Sequence, residues 1–414
     1  MKLFETKSFQ IVLFQIKLLH LQCNNNTVDN NHITLTMEVP FVYGKIANGA
    51  SFTDREQETK TLVGNFKGLI NTVIISPRRW GKTSLVNKAL SELSEDSCYI
   101  TVSIDVFNCR TEAEFYNTFA SAVLKAGVSK IEEFVASAKK YLGSLLPKIT
   151  LGDDMGTAEL SLGVDFKDKQ FSVDEILDLP QNIAKERNKK VVVCIDEFQN
   201  ICEFENTLDF QKKLRSHWQK HTLVCYCLYG SKRHMLLDIF GNYSNPFYKF
   251  GDIIFLEKID ERHWVEFITA TFTRTGKNIS ENTALEIIRL ADMHPYYVQQ
   301  LAQQSWLRTS DICTSEIVKE AFNGIIGQLN LLFCNLIDSL TAKQINFIKA
   351  VNNGEANFSS EAVLRKYKLG TSANIKNLKE SCLKKDIIDI LPSKKIVLQD
   401  PMFAHWLKHS LEKD

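Results

Sequence analysis

The sequence lacks the residue patterns that mark several common classes of protein. Its ten cysteines include no CxxC pair, and no histidine stands at zinc-finger spacing, which argues against a zinc site and for reduced thiols in a cytoplasm. Neither charge dominates, because 50 basic and 49 acidic residues leave a net charge of +1. The whole chain therefore produces no field that attracts nucleic acid or an acidic membrane, and any such contact must come from a local patch.

Long apolar runs are also missing. No run reaches the roughly 18 to 20 apolar residues that a membrane-spanning helix requires, so we expect no membrane partner. The first residues contain an apolar patch, but Lys17 interrupts it and no small-residue cleavage site follows, so a signal peptide is the weaker interpretation. Because the stretch 24–36 is rich in Asn, we interpret residues 1–36 as a disordered tail or an artefact of an upstream start codon.

The chain does contain five short apolar runs rich in β-branched residues, which begin at residues 72, 99, 191, 223 and 252. Their near-continuous apolarity predicts strands that are buried on both faces. Apolar residues recur at helical spacing after the first and second runs. This β-α-β-α order predicts an α/β fold, with a mostly parallel sheet between two layers of helices.

The length of 414 residues predicts more than one domain. The α/β pattern occupies residues 37–258, and an insertion at about 127–180 interrupts it. Helical patterns predict a helical lid at 259–334. Three short helices, a hairpin and a terminal helix follow at 335–414, which is the element order of a winged helix.

A phosphate-binding segment follows the first run. Residues 76–83, Ser-Pro-Arg-Arg-Trp-Gly-Lys-Thr, match the P-loop pattern GxxxxGK[ST] except at the first glycine. Serine and proline can supply the tight turn of that glycine, because proline fixes its own backbone angle and serine forms local hydrogen bonds. A P-loop glycine lets backbone amides converge on phosphate, its lysine reaches the β- and γ-phosphates, and its threonine binds magnesium. The segment therefore predicts a site for a phosphate chain and Mg²⁺, with contacts from Ser76, Pro77, Arg78, Arg79, Trp80, Gly81, Lys82, Thr83 and Ser84.

Two further apolar runs end in polar residues that suit the same chemistry. Asp196 ends the run VVVCID and Glu197 follows it, which is a Walker B pattern. In this pattern the first carboxylate holds magnesium and the second polarises an attacking water. Ser231 follows the next run, where it is a candidate sensor of the γ-phosphate or an ordinary loop serine. We therefore predict Glu197, Lys82 and Ser231 as catalytic residues, and Thr83 and Asp196 as metal ligands.

Five segments together resemble the archaeal-type ATPase family, in the STAND branch of the AAA+ superfamily: MEVPFVYGKIANGASFTDREQE, SPRRWGKTSL, VVVCIDEFQNI, LYGSKRHM and MHPYYVQQLA. The resemblance runs from about Met37 to the C-terminus. In that family SPRRxGKTSL is the usual form of the loop, so Ser76 is typical of it. The resemblance implies a P-loop NTPase fold and ATP as the ligand. It also implies a role on the adenine side for the box Phe52-Thr53-Asp54-Arg55-Glu56, with Asp54 and Arg55 as the binding residues.

The same resemblance implies roles for the lid and leaves one role open. It implies that His294 and Pro295 replace an arginine that many AAA+ lids place against the phosphates, although these residues equally suit a helix start with proline in the first turn. Where many relatives carry an arginine finger, this chain has Lys249 and Phe250. The arginine finger is thus unassigned, and its substitutes by sequence are Arg78, Arg79 and Arg233, each of which equally suits a structural role.

The C-terminal segment has a mild excess of positive charge. Residues 335–414 hold 13 Lys or Arg and 9 Asp or Glu, a net charge of +4. The third helix of the predicted winged helix displays four of these lysines, Lys376, Lys379, Lys384 and Lys385. DNA binding, contact with a protein partner and packing against the lid all remain open for this segment.

These patterns predict an ATP-dependent molecular switch that hydrolyses Mg-ATP slowly and couples nucleotide state to the positions of the lid and the winged helix. The alternative is a DNA-binding regulator in which the nucleotide domain acts only as a clamp. A small-molecule kinase is a third hypothesis, which is disfavoured because Asp196 and Glu197 suit the activation of water and no acceptor site is apparent. The sequence indicates neither the client nor the oligomeric state.

Overall fold

The computed structural model describes residues 39–47, 49–126, 140–141, 148–150, 161–163, 171–391 and 393–410. Our interpretation of residues 1–36 falls outside this set. So does most of the insertion, including a predicted hairpin tip flanked by Gly152 and Gly156. No helix in the part of the chain that the structure describes is long and apolar enough to cross a membrane.

The central sheet is parallel, as predicted. Within the described residues it has five strands, which are β1 Thr72–Ile75, β2 Tyr99–Asp105, β5 Lys190–Asp196, β6 Val224–Gly230 and β7 Asp252–Phe255. Their order in the sheet is β2-β5-β6-β1-β7. Because all five run in the same direction, their carboxyl ends meet at one edge of the sheet. The insertion contributes a separate antiparallel pair, β3 Lys148–Thr150 and β4 Ser161–Gly163.

Burial on both faces, predicted for every run, holds for the three inner strands only. Every residue of β1 and of β6 is buried, and the five central residues of β5 are buried. β2 alternates between buried and more exposed residues, and only Ile254 of β7 is buried. The prediction was wrong for these two strands because they form the edges of the sheet, where fewer elements cover them.

Helices pack on both faces of the sheet. Val73 and Ile75 belong to one apolar cluster, whereas Ile74 between them belongs to another, as the two-residue period of a strand requires. The second cluster also contains residues of the first two helices, and the first contains residues of the next four. These helices are α1 Glu56–Lys67, α2 Lys82–Ser94, α3 Glu112–Ala126, α4 Phe171–Arg187, α5 Thr207–Trp218 and α6 Arg233–Gly241.

The C-terminal third is helical and shares one core. The lid comprises α7 Glu261–Arg274, α8 Glu281–Leu290, α9 Pro295–Arg308 and α10 Ser315–Asp338, with the short parallel pair β8 Asn278–Ile279 and β9 Ile312–Cys313. The winged helix comprises α11 Ala342–Asn352, α12 Glu361–Lys366, α13 Ser372–Lys384, the hairpin β10 Ile388–Ile390 and β11 Ile396–Leu398, and α14 Pro401–Ser410. A single apolar cluster runs through both.

The border between lid and winged helix lies inside a helix. We predicted it at residues 334 and 335, and α10 runs through this position to Asp338. On α10, Asn330 accepts a hydrogen bond of 2.7 Å from Trp406 Nε1, and Phe333 packs against the ring of Phe403 at 5.3 Å. The end of α10 therefore packs as part of the winged helix. The packing does not follow the border that we predicted from the sequence.

Candidate nucleotide site

The P-loop connects the C-terminal end of β1 to the N-terminus of α2. Gly81 ends the loop with a φ of 86°, in the left-handed region that side chains other than glycine rarely adopt. Among the described residues, no atom lies within 4 Å of a Cβ built on Gly81. The backbone conformation, and not a lack of space, therefore requires glycine here. Because α2 begins at the next residue, its free N–H groups lie beside the loop as a ready anion site.

Ser76 and Pro77 form the turn that the missing glycine left in question. Ser76 is buried, and its hydroxyl donates a hydrogen bond of 3.1 Å to the Pro77 carbonyl. The same carbonyl accepts from Lys82 Nζ at 3.0 Å, so the loop closes around its own lysine. Lys82 is only 6% exposed. Burial lowers the pKa of its ammonium to about 8, although the carboxylates of Glu197 and Asp196 act to raise it.

Asp196 lies opposite the P-loop threonine. Thr83 Oγ1 donates a hydrogen bond of 2.9 Å to Asp196 Oδ2, and the Glu197 backbone N–H donates to Oδ1 at 2.8 Å. Burial nevertheless raises the pKa of Asp196 to about 6, since these hydrogen bonds offset only part of the desolvation. A hydroxyl and a carboxylate at this distance fit magnesium, which binds one or two protein oxygens and takes its other ligands from phosphates and water. The pair matches the predicted metal ligands.

Glu197 is held by residues from two segments. It has a φ of 53°, an unusual backbone conformation for glutamate of the kind that concentrates at functional sites. Its Oε2 accepts a hydrogen bond of 2.9 Å from the Ser231 hydroxyl, and it also accepts from Gln199 Nε2. Ser231 reaches it because β6 lies between β1 and β5, which places the end of β6 between the P-loop and the Walker B residues.

Gln199 is a site residue that our sequence analysis missed. It is completely buried, and a Cβ on Gly230 would lie 1.8 Å from its Oε1. Glycine at 230 therefore leaves the space in which the Gln199 amide can reach Glu197. The available signal was a polar residue two positions beyond the Walker B glutamate, but sequence spacing alone does not show which way that side chain points.

These groups line one cavity of about 490 Å³. Ten predicted site residues line it: Arg78, Arg79, Gly81, Lys82, Thr83, Ser84, Asp196, Glu197, Ser231 and Pro295. The opposite wall comes from α9, through Tyr296 and Gln299, and from residues 42–47, which we call the N-terminal strap. The cavity thus has a charged end at the P-loop and a more apolar end at the strap.

Hydrogen bonds hold the N-terminal strap in place. The Ala47 backbone N–H donates to Ser84 Oγ at 3.0 Å, and the Val42 N–H donates to Gln299 Oε1 at 3.0 Å. Tyr43 also packs edge-on against Tyr296, with the ring centroids 5.6 Å apart. Our sequence analysis had quoted this strap only for its resemblance, because irregular backbone has no periodicity from which its position could be predicted.

Comparisons with known proteins agree with this geometry. Residues 52–301 match a family described as an ATPase domain predominantly from Archaea. The chain belongs to this family. A second match, to a probable winged helix domain, covers residues 331–409 and confirms the C-terminal prediction. A comparison with curated proteins returned no significant match.

Solved structures resemble the fold of this protein. A Walker-type ATPase of Pyrococcus abyssi superposes with a TM-score of 0.61 at 19% identity, over 87% of this chain and 97% of its own. The ORC2 protein of Aeropyrum pernix, in ADPNP-ADP complexes, gives a TM-score of 0.54 at 11% identity, over 90% of this chain and 98% of its own. At such identities the likeness shows the fold alone, an α/β P-loop fold followed by a winged helix.

Several residues predicted to contact nucleotide lie elsewhere in the protein. Arg55 is buried outside the cavity, where its guanidinium donates to Glu58 Oε1 and to the Glu257 carbonyl, both at 2.6 Å. Asp54 lies 4.0 Å from His263 and does not line the cavity either. These contacts join α1 to the segment after β7. The predicted contact with adenine therefore stays a prediction that the geometry does not support.

The P-loop turns some of its predicted contacts away from the cavity. Ser76 lies beneath the loop, and Pro77, Trp80 and His294 line a different cavity on the far side of it. His294 packs edge-on against Trp80 at 6.3 Å, and its burial lowers the pKa of the imidazole to about 4. A loop one residue thick has two faces, and the GxxxxGK[ST] pattern does not specify which residue occupies which face.

The three substitute arginines occupy different places. Arg78 and Arg79 line the nucleotide cavity, and Arg79 lies over the ring of Tyr296, with 4.6 Å between Cζ and the ring centroid. Arg233 does not line it, because its Nη1 pairs with Asp389 of the winged helix at 3.4 Å. Phe250 is buried in the core beneath the sheet. The arginine finger remains unassigned.

Proposed function

We propose that this protein is a Mg²⁺-dependent ATP hydrolase that acts as a nucleotide-dependent switch. One observation carries the proposal: Ser231 lines the cavity with the P-loop lysine while its hydroxyl donates at 2.9 Å to Glu197. The residue that we predict to detect a terminal phosphate and the carboxylate that we predict to polarise water therefore share one hydrogen bond. Family membership supports ATP binding, and the proposal adds hydrolysis, the metal and the switch.

The shape of the cavity suggests how ATP lies in it. The phosphates would lie at the N-terminus of α2, where Lys82 and the amides after Gly81 supply positive charge. The base would then lie between the N-terminal strap and Tyr296, which supply the apolar end. Thr83 and Asp196 would hold Mg²⁺, which when bound neutralises charge that develops on the phosphates.

Hydrolysis would depend on the release of Glu197. Its Oε2 already accepts from Ser231 and Gln199, so this carboxylate oxygen has little capacity left for a water molecule. A γ-phosphate that accepts the Ser231 hydroxyl would remove this donor, while Gln199 would keep Glu197 in position to orient the attacking water. Hydrolysis would be slow, because each turnover would require this exchange of hydrogen bonds.

The switch would pass from Ser231 to the winged helix. Two residues after Ser231, Arg233 begins α6 and pairs with Asp389 on β10. The two side chains are only 11% and 8% exposed, so the ion pair is poorly screened by water. Any displacement of Ser231 by the γ-phosphate would therefore strain or shift a buried contact with the hairpin β10–β11.

Hydrogen exchange can test the switch. The variant Glu197→Gln would be prepared with ATP or with ADP, so that ATP is not consumed during labelling. We expect exchange in β10–β11 and at the start of α6 to differ by about tenfold between the two nucleotides. The reason is that ATP has a γ-phosphate that would accept the Ser231 hydroxyl, whereas ADP has none. Helix α3, which lines neither cavity, serves as the internal control. Identical exchange in the hairpin with both nucleotides would contradict the switch, and failure of ATP to bind would contradict the whole proposal.

A further inference from the structure

A second cavity lies on the far side of the P-loop from the nucleotide site. Its volume is about 330 Å³. The walls are largely apolar and come from the P-loop, from the end of β7 and from the hairpin of the winged helix, through Pro77, Trp80, Leu256, Leu391, Val397 and Leu398. Cavities of this size with apolar walls and a few polar groups are the usual form of small-molecule sites.

The two cavities share three segments of chain. In the P-loop, Arg78 and Arg79 face the nucleotide cavity, whereas Pro77 and Trp80 face the second one. The segment after β6 places Ser231 in the first cavity and Arg233 in the second. The start of α9 does the same with Pro295 and His294. A molecule in the second cavity would therefore touch the backs of the segments that contact nucleotide.

The guanidinium of Arg233 lines this cavity with most of its donors unused. Among the residues that the structure describes, its side-chain partner is Asp389, which Nη1 reaches at 3.4 Å. Buried polar groups are nearly always paired, so this guanidinium beside a cavity indicates that a partner is missing. A guanidinium can only donate, which requires a hydrogen-bond acceptor on that partner.

The charges around the cavity favour a neutral partner. Arg233 pairs with Asp389, and Lys258 pairs with Asp292 at 2.7 Å. The remaining charged residue in the wall is Glu257, whose charge would repel an anion. A cation would bring no acceptor for Arg233. The partner that fits is uncharged and carries an oxygen or nitrogen acceptor on an apolar body.

We propose that the second cavity binds a small neutral molecule with an apolar body and a carbonyl-type acceptor, and that its occupancy is coupled to nucleotide. The site itself does not depend on the proposed function, whereas the coupling rests on it. Coupling follows because the ligand would press on Pro77 and accept a hydrogen bond from Arg233, two residues that lie next to nucleotide contacts on the chain.

Prodan, a neutral dimethylaminonaphthalene with one ketone, is the probe for this site. It would be titrated into the full-length protein without nucleotide, and binding would be followed by the blue shift of its fluorescence. We expect saturable binding at one site. The variant Leu391→Trp, which fills the cavity from the hairpin, should weaken this binding by about tenfold or more, equivalent to the loss of a well-packed apolar contact.

Two further variants make the experiment specific. Ile396→Trp is the matched control, because Ile396 lies on the same hairpin but lines a neighbouring cavity. It should leave prodan binding unchanged. Arg233→Lys keeps a positive charge for Asp389 but removes the guanidinium and its fixed set of donors, and it should weaken binding several-fold. Leu391→Phe replaces the tryptophan variant if that one loses the circular dichroism spectrum of the wild type. Absence of saturable binding, or equal effects of Leu391→Trp and Ile396→Trp, would overturn the site.

The coupling is measured separately. Prodan affinity would be compared without nucleotide, with saturating ADP and with saturating ATP, and we expect a change of about fivefold or more, as is typical of linked sites. Reciprocity requires prodan to change nucleotide affinity by the same factor. If prodan binds and ATP does not, the proposed function fails and the site stands. If both bind without affecting each other, the coupling is overturned.

Discussion

The nucleotide cavity and the exposed face of α13 both contain lysines, but the surroundings of these lysines differ greatly. Lys82 is 6% exposed and lies within the influence of two carboxylates, so its charge acts in a medium that screens it poorly. The side chain of Lys376 is 82% exposed, and it forms an i,i+4 ion pair with Glu380 at 3.9 Å. Burial makes the charge of Lys82 costly to place, and we expect this charge to contribute strongly to nucleotide binding. Exposure makes the charge of Lys376 inexpensive to place and its electrostatic interactions weak.

The largest effect should come from the buried carboxylate. Glu197→Gln should slow ATP hydrolysis by ~100-fold or more while ATP still binds, because general-base assistance commonly contributes ~10² to 10⁴. Phosphate release would be measured at saturating Mg-ATP. The control is Glu203→Gln, an exposed residue that pairs with Lys232 at 3.4 Å. A Glu197→Gln variant as fast as the wild type would show that the glutamate is structural.

The P-loop lysine should come next. Lys82→Ala should weaken ATP binding by ~100-fold, since the site loses its buried positive charge and the charge-assisted hydrogen bonds that it would donate to phosphates. Calorimetry measures the affinity. Lys88→Ala on the same helix is the matched control, because Lys88 is half exposed and pairs only with Glu92 at 3.8 Å. Equal affinities for wild type and Lys82→Ala would refute the P-loop assignment.

Gly230 tests the packing around the glutamate. Gly230→Ala should displace Gln199, whose Oε1 lies 1.8 Å from the added Cβ, and thereby disturb the hydrogen bonds to Glu197. We expect a fall in the hydrolysis rate of roughly tenfold, which is smaller than the effect of removing the carboxylate itself. Gly241→Ala is the control, because nothing lies within 4 Å of the corresponding Cβ. Similar rates for both variants would mean that Gln199 does not position Glu197.

His294 extends the comparison to pH. Its pKa is lowered to about 4 from 6.5, mainly by burial, so the unfolded chain binds this proton more tightly than the folded one. The stability that this difference contributes is complete above pH 6.5 and is lost as the pH falls towards 4, up to about 3 kcal/mol. His294→Gln should therefore lose less melting temperature than the wild type between pH 7 and pH 4.5. The exposed His409→Gln should behave like the wild type, and identical losses in all three proteins would contradict the assignment.

The smallest effect concerns the exposed lysines of α13. If this helix contacts DNA, Lys376→Ala combined with Lys379→Ala should weaken duplex binding by several-fold and reduce the slope of its salt dependence by up to ~2. A salt titration by fluorescence anisotropy measures both, and Lys319→Ala on the lid is the control. No binding by the wild type at ~50 mM salt would exclude the DNA hypothesis. The winged helix would then be a protein-docking or lid element.

Much of the nucleotide site could be predicted because it depends on local chemistry. The left-handed turn at Gly81, the helix that begins after it and the buried strand before Asp196 all arise from residues within a few positions of one another. The parallel sheet followed from the order of strands and helices. The nucleotide contacts of Trp80 and His294 stay predictions that the geometry does not support. They concern the direction of side chains, which depends on neighbours far away along the chain.

The sequence by itself determined the family, the P-loop, the two Walker B carboxylates and the order of domains, since each has a short-range pattern with a direct physical cause. Tertiary structure alone decided that β6 lies between β1 and β5, and so brought Ser231 to Glu197. It also set Pro77 and Trp80 against the winged helix on the far side of the loop. These facts depend on contacts between segments more than 30 residues apart, and no local periodicity encodes which segments will meet.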